Sequence, residues 1–250
     1  MFNGNETADE IYEIVKAAMP IQVDLDLSDT QITHLPDGLQ VGGWLSLQNT
    51  PISRLSDNLV VGGWLDLRGT PISHLPDGLQ VGSSLFLSGT PITRLPDDLV
   101  VGVGLDLADT QITHLPDGLQ VEGWLDLRGT HITHLPDGLK VGGDLWLSGT
   151  QITHLPDGLK VGGNLLLSAL PITHLPDDLV VGGYLDLTNT LITHLPDGLV
   201  VEEWLDLRGT AITTLPDGLQ VGGEIIGFVP PKPPKPALVQ GGKPLPKWNW

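Results

Sequence analysis

The chain is expected to fold as a β-rich solenoid, and three observations predict this. First, a 20-residue unit recurs about ten times with no insertion or deletion, as in L-S-D-N-L-V-V-G-G-W-L-D-L-R-G-T-P-I-S-H at residues 55–74. A strict period of this length implies stacking, because one unit cannot bury its own apolar face. Second, each unit contains L-x-L, such as Leu45-x-Leu47, with the alternation of a strand. Third, no 3.6-residue periodicity occurs within a unit, and a proline at nine of ten L-P positions blocks helix there. The far side of each coil is therefore expected to be extended chain and turns.

Three segments follow in order: an N-terminal helical cap at residues 1–20, a solenoid at 21–227, and a Pro/Lys-rich tail at 228–250. In the cap, Thr7-x-x-Glu10 is a capping box, and Ile11, Ile14, Val15 and Ala18 share one helix face. Pro20 stops the helix, whose role is to cover the open core of the first coil. Within a coil, Leu35, Leu39, Val41, Leu45, Leu47 and Ile52 head six apolar columns that repeat every 20 residues. Leu45 and Leu47 face inward, so residues 44, 46 and 48 point away from the core. Leu39-x-Val41 reads as a second short extended piece. Two columns report turn geometry. The Gly38 column holds only Gly, Asn and Asp, the residues that best tolerate positive φ. The Asp29 column does the same except at Ala169, and Leu170 replaces the usual threonine, so a local irregularity is expected there.

The string L-x-L-x-x-T-x-I-x-x-L-P, as at residues 65–76, resembles a leucine-rich repeat with Thr at the family's usual Asn position. The 20-residue length and the recurrent L-P are similar to bacterial effector-type leucine-rich repeats. The resemblance covers about 200 of the 250 residues. It implies a right-handed superhelix with a parallel sheet on its concave face. Gly42 departs from the pattern, because the family places an apolar residue there. A parallel β-helix of similar pitch is therefore the alternative. Effectors with such repeats often carry a separate ubiquitin-ligase domain with a catalytic cysteine. This chain has no cysteine, so that activity is not carried over.

Composition excludes several classes. Residues 1–224 hold 8 Lys/Arg against 30 Asp/Glu, a balance of −22, whereas residues 225–250 hold four Lys and no acid. An acidic body repels nucleic acid and anionic membrane and favours a protein with a basic patch. The absence of cysteine excludes a disulfide framework and Cys-ligated zinc. No apolar run is long enough to span a bilayer. The first ten residues lack the basic and apolar regions of a secretory signal. A monomer in the cytoplasm is expected, with export by a non-classical bacterial route as the alternative.

Stacked coils place column neighbours about 4.8 Å apart. Ten aspartates from Asp37 to Asp217 form one column. Beside it lie His34, His74, His114, His134, His154, His174 and His194, with Arg54 and Arg94 filling two gaps. Turn and solvent roles account for both, and no cofactor or metal is assigned. Cation binding by these columns stays open. No catalytic constellation stands out, because every His of the column and every Asp of the L-P-D turn belongs to a repeating set.

The positions pointing away from the core carry the candidate recognition residues. They are Trp44, Phe86, Trp146 and Tyr184, with the triplets Trp64-Asp66-Arg68, Trp124-Asp126-Arg128 and Trp204-Asp206-Arg208. Aromatic and Arg side chains on an open face serve as interface anchors. Ring stacking between coils that stiffens the sheet is the competing role. In the tail, Pro230-x-x-Pro233-x-Lys235 fits a PxxP ligand for an SH3-like groove, and a plain extended tail is the alternative. The sequence thus points to a non-enzymatic protein-interaction module. The alternative is a structural or acidic charge-mimic rod acting on a nucleic-acid-binding protein.

Overall fold

The computed structural model describes residues 6–230. One parallel ladder runs the whole length as an 11-stranded sheet, from Leu25–Asp26 through Leu45–Ser46 to Ile225–Ile226. Its register is the repeat itself, with Leu25 opposite Leu45 and Leu45 opposite Leu65. Each coil donates to the next: Leu45 N–H to Trp64 C=O at 2.9 Å and Leu47 N–H to Asp66 C=O at 2.9 Å. The fold is a β-solenoid with parallel sheets and no helix in its coils.

A second parallel ladder forms at the Leu39-x-Val41 position, in two pieces. A four-stranded sheet runs from Gln40–Val41 to Val100–Val101, and a six-stranded sheet from Gln120–Val121 to Gln220–Val221. The glycine at position 42 explains this ladder. A Cβ on Gly162 would lie 2.0 Å from the Gly142 carbonyl oxygen, so neighbouring coils approach backbone to backbone. The ladder breaks where two side chains enter this corner together, Val103 on one coil and Glu122 on the next. Glu202 and Glu203, two side chains on one coil, do not break it, since the Glu202 N–H still reaches the Val181 carbonyl at 2.9 Å and the Glu203 N–H the Gly183 carbonyl at 3.3 Å.

All six apolar columns are buried as expected: Leu35 is 5% exposed, Val41 2%, and Leu39, Leu45, Leu47 and Ile52 0%. At the last coil Leu215, Leu219, Val221 and Ile225 are only partly buried. The opposite end is closed by helix α1 (Ala8–Ala17), with the Thr7/Glu10 capping box present and Ile11 and Val15 each 1% exposed. Ile14, at 52% exposed, and Ala18, exposed at the C-cap, depart from the expected face, because α1 lays only a narrow stripe on the first coil.

Both turn columns behave as small-residue turns, with differences. All ten residues of the Asp29 column have left-handed φ, including Ala169 at 60°. The expected irregularity at Ala169-Leu170 is absent. Leu170 N–H bonds the Leu167 carbonyl at 3.1 Å, as the threonines do, and its side chain is 1% exposed. An apolar side chain fits because the threonine hydroxyl it replaces bonds only inside its own turn. In the Gly38 column, Asp98, Asp178, Gly198 and Gly218 are not among the left-handed residues. Asp178 instead accepts the Gly158 N–H at 3.0 Å with its carboxylate.

Candidate recognition face

The long ladder sets one face of the solenoid, formed by residues 44, 46 and 48 of each coil. The three W-x-D-x-R triplets adopt one arrangement. Arg68 donates Nε–H to Asp66 Oδ1 at 3.0 Å and Nη2–H to Oδ2 at 2.5 Å, while its backbone N–H reaches Oδ1 at 3.0 Å. Arg128 on Asp126 and Arg208 on Asp206 repeat these bonds. The fork matches the carboxylate and locks the Arg rotamer. The hydrogen bond from Arg208 is the largest of the influences holding the Asp206 carboxyl below its ordinary range, and the Asp pairing raises all three guanidinium pKa values.

This differs from the expectation of open aspartates. Asp66 is 4% exposed, Asp126 3% and Asp206 0%, because the guanidinium and its neighbours close over the carboxylate. The Arg side chains stay accessible, at 43%, 56% and 64%. Tyr184 joins the last pair, donating its hydroxyl to Asp206 Oδ2 at 3.1 Å. Burial, ahead of the Asp186 charge and that bond, pushes its phenol up to about 12.

The aromatic side chains form a strip. Trp44 stacks on Trp64 with ring centroids 4.5 Å apart and planes 3° from parallel. Trp64 meets Phe86 edge-on at 6.2 Å, Phe86 meets Trp124 at 6.0 Å, and Trp124 stacks on Trp146 at 5.7 Å. The coil between Phe86 and Trp124 carries Gly104, and a Cβ there would lie 2.2 Å from the Trp124 ring. Trp124 therefore leans across a whole coil to reach Phe86. Arg68 lies over the Phe86 ring at 5.1 Å and Arg128 over the Trp146 ring at 5.2 Å. The rings remain half-exposed, and Trp204 is 56% exposed. The skipped coil and the closed carboxylates depend on three-dimensional reach. In sequence, the only signal for them was the glycine at 104 and the D-x-R spacing.

The other expected columns lie elsewhere. The Asp37 and His34 columns are exposed on the far side. His154 and His174 rings come within 5.0 Å, yet no cluster of three or more metal-ligating side chains occurs among the described residues. The tail motif lies outside the described residues except for Pro230. No helix among the described residues is long and apolar enough to cross a membrane.

The molecule is thus a 20-residue-repeat solenoid with a charged aromatic face on its continuous sheet. Among solved structures it is similar to YopM from Yersinia pestis, described as a leucine-rich effector protein, at a TM-score of 0.48 and 16% identity. That match covers 82% of this chain and 65% of the YopM chain, so this chain spans just under two thirds of it. It is also similar to YopM from Yersinia enterocolitica WA-314, at a TM-score of 0.38 and 18% identity, over 90% of this chain and 70% of that one. No family model and no curated protein matches the sequence.

Proposed function

We propose that the protein is a non-enzymatic protein-binding solenoid whose recognition face is the Trp/Asp/Arg surface of the long ladder. The observation that carries this reading is the threefold W-x-D-x-R arrangement. In each copy a buried carboxylate holds an accessible guanidinium on the face that also carries an indole at least partly open to solvent. Such anchors are rigid before contact, so little side-chain freedom is lost on association. The aromatic stack also stiffens the sheet, and the two roles coexist, because stacked rings still present their edges.

The test is affinity capture with the wild type and a Trp64/Trp124/Trp204→Ala variant, with circular dichroism on both. A partner retained by the wild type and lost by a folded variant is the expected result. Equal capture by two folded proteins rejects this face. The exposed aspartate column favours a second reading, an acidic rod that mimics nucleic acid toward a basic protein. Ten coils at about 4.8 Å each make it roughly 50 Å long. Displacement of the partner by duplex DNA would select that reading over the aromatic face.

A further inference from the structure

Six coils place an aspartate at the middle position of the recognition face: Asp26, Asp66, Asp106, Asp126, Asp186 and Asp206. All six accept the backbone N–H two residues later. They differ in the side chain that N–H belongs to. Arg68, Arg128 and Arg208 cover their carboxylates with guanidinium groups. Ser28 and Thr188 donate hydroxyls. At Asp106 the residue is Ala108, a methyl group that donates nothing.

The surroundings make this gap specific. On the ladder Asp106 lies between Phe86 and Asp126. The Trp124 ring covers Gly104 and closes one end, and Ala108, half-exposed, leaves the other open. Among the described residues, the guanidinium groups that act on Asp66, Asp106 and Asp126 are those of Arg68 and Arg128, so one carboxylate is in excess. Asp106 is half-buried, and its carboxyl pKa is raised first by burial and further by the Asp126 charge, despite bonds from Ala108 N–H and the Ser88 hydroxyl.

We propose that the space over Ala108 receives an arginine side chain of the protein partner, its guanidinium taking on Asp106 the place that Arg68 and Arg128 take on Asp66 and Asp126. The chain supplies its own precedent, because the same aspartate geometry holds a forked guanidinium at three other coils. A guanidinium is favoured over an ammonium because its two parallel N–H donors match both carboxylate oxygens. An incoming cation also neutralises the excess carboxylate in a partly desolvated place, where the attraction is screened less than at an open surface. This inference rests on the reading of the face as a protein-binding surface.

The test uses the full chain, N-acetyl-arginine amide as probe and N-acetyl-lysine amide as control. NMR follows the Asp106 carboxyl and the Trp124 indole. The expected result is a saturable shift of both signals with the arginine probe and a weaker response to the lysine probe. The Ala108→Arg variant should lose the probe response and show a lower Asp106 pKa than the wild type. The Asp106→Asn variant should also lose the Trp124 response. Ala108→Arg recreates a pairing that three coils already fold around, and circular dichroism checks that it folds. No saturable shift in the wild type, an equal response to both probes, or an undiminished response in Ala108→Arg overturns the proposal. The two readings fail separately. Partner capture that needs the tryptophans but survives Ala108→Arg removes the arginine receptor and keeps the face. Probe binding without any tryptophan-dependent partner keeps the receptor and removes the face.

Discussion

Threonine in the L-x-x-T turn illustrates how one residue closes a coil. In eight coils, from Thr30 to Thr210, Oγ1 donates to the leucine carbonyl three residues back at 2.6–2.7 Å. The threonine backbone N–H reaches the same oxygen, as from Thr90 to Leu87 at 3.0 Å. Thr150 is buried at 6% exposure, and its hydroxyl has no partner among the described residues. An unsatisfied buried hydroxyl is a cost, whereas a bonded one contributes about 1 kcal/mol. Thr150→Val is therefore expected to be neutral or to stabilise by up to about 1 kcal/mol, and Thr90→Val to destabilise by about 1 kcal/mol. Urea denaturation midpoints of the two variants read this directly. Equal losses in both would show that side-chain volume, rather than the hydrogen bond, governs the position.

At the scale of the element, the two ladders respond to different residues. The long ladder was legible from L-x-L alone, because leucines at alternate positions announce a buried strand face. The capping box of α1 was legible for a similar reason, since Thr7 and Glu10 bond each other's backbone across one turn. The Gly42 column was harder to read. A glycine shows where a side chain is forbidden but not what forbids it, and the cause here is a carbonyl 20 residues away in sequence. The closure of Arg68 over Asp66 and the reach of Trp124 across Gly104 were hidden because they depend on rotamers and on neighbouring coils. Ala169 misled in the other direction: the turn dictates its φ of 60°, and the coil tolerates the strain. The break in the second ladder gives a test. Val103→Gly with Glu122→Gly is expected to join the four- and six-stranded sheets. Hydrogen exchange of the residue 120 and 122 amides should then slow to the rate of residues 140 and 142. Unchanged exchange would mean that the corner side chains do not separate the sheets.

Across the whole molecule, each coil contacts its two neighbours, and stability accumulates from repeated interfaces. Deleting residues 151–170 removes one full period and joins Thr150 to Pro171, a junction already present as Thr50-Pro51 and Thr70-Pro71. The shortened chain is expected to fold, with an unchanged circular dichroism spectrum per residue and a modestly lower melting temperature. Loss of the β signal would show that the coils are not interchangeable. The ladder bonds that join coil to coil also run along the axis of the stack. A force applied to the two ends therefore loads these interfaces in series, and the weakest one opens alone. Extension should proceed as a sawtooth, each tooth releasing 20 residues, roughly 70 Å of taut chain. Mechanically the protein is a stack of separable links, and it yields by shedding them one at a time.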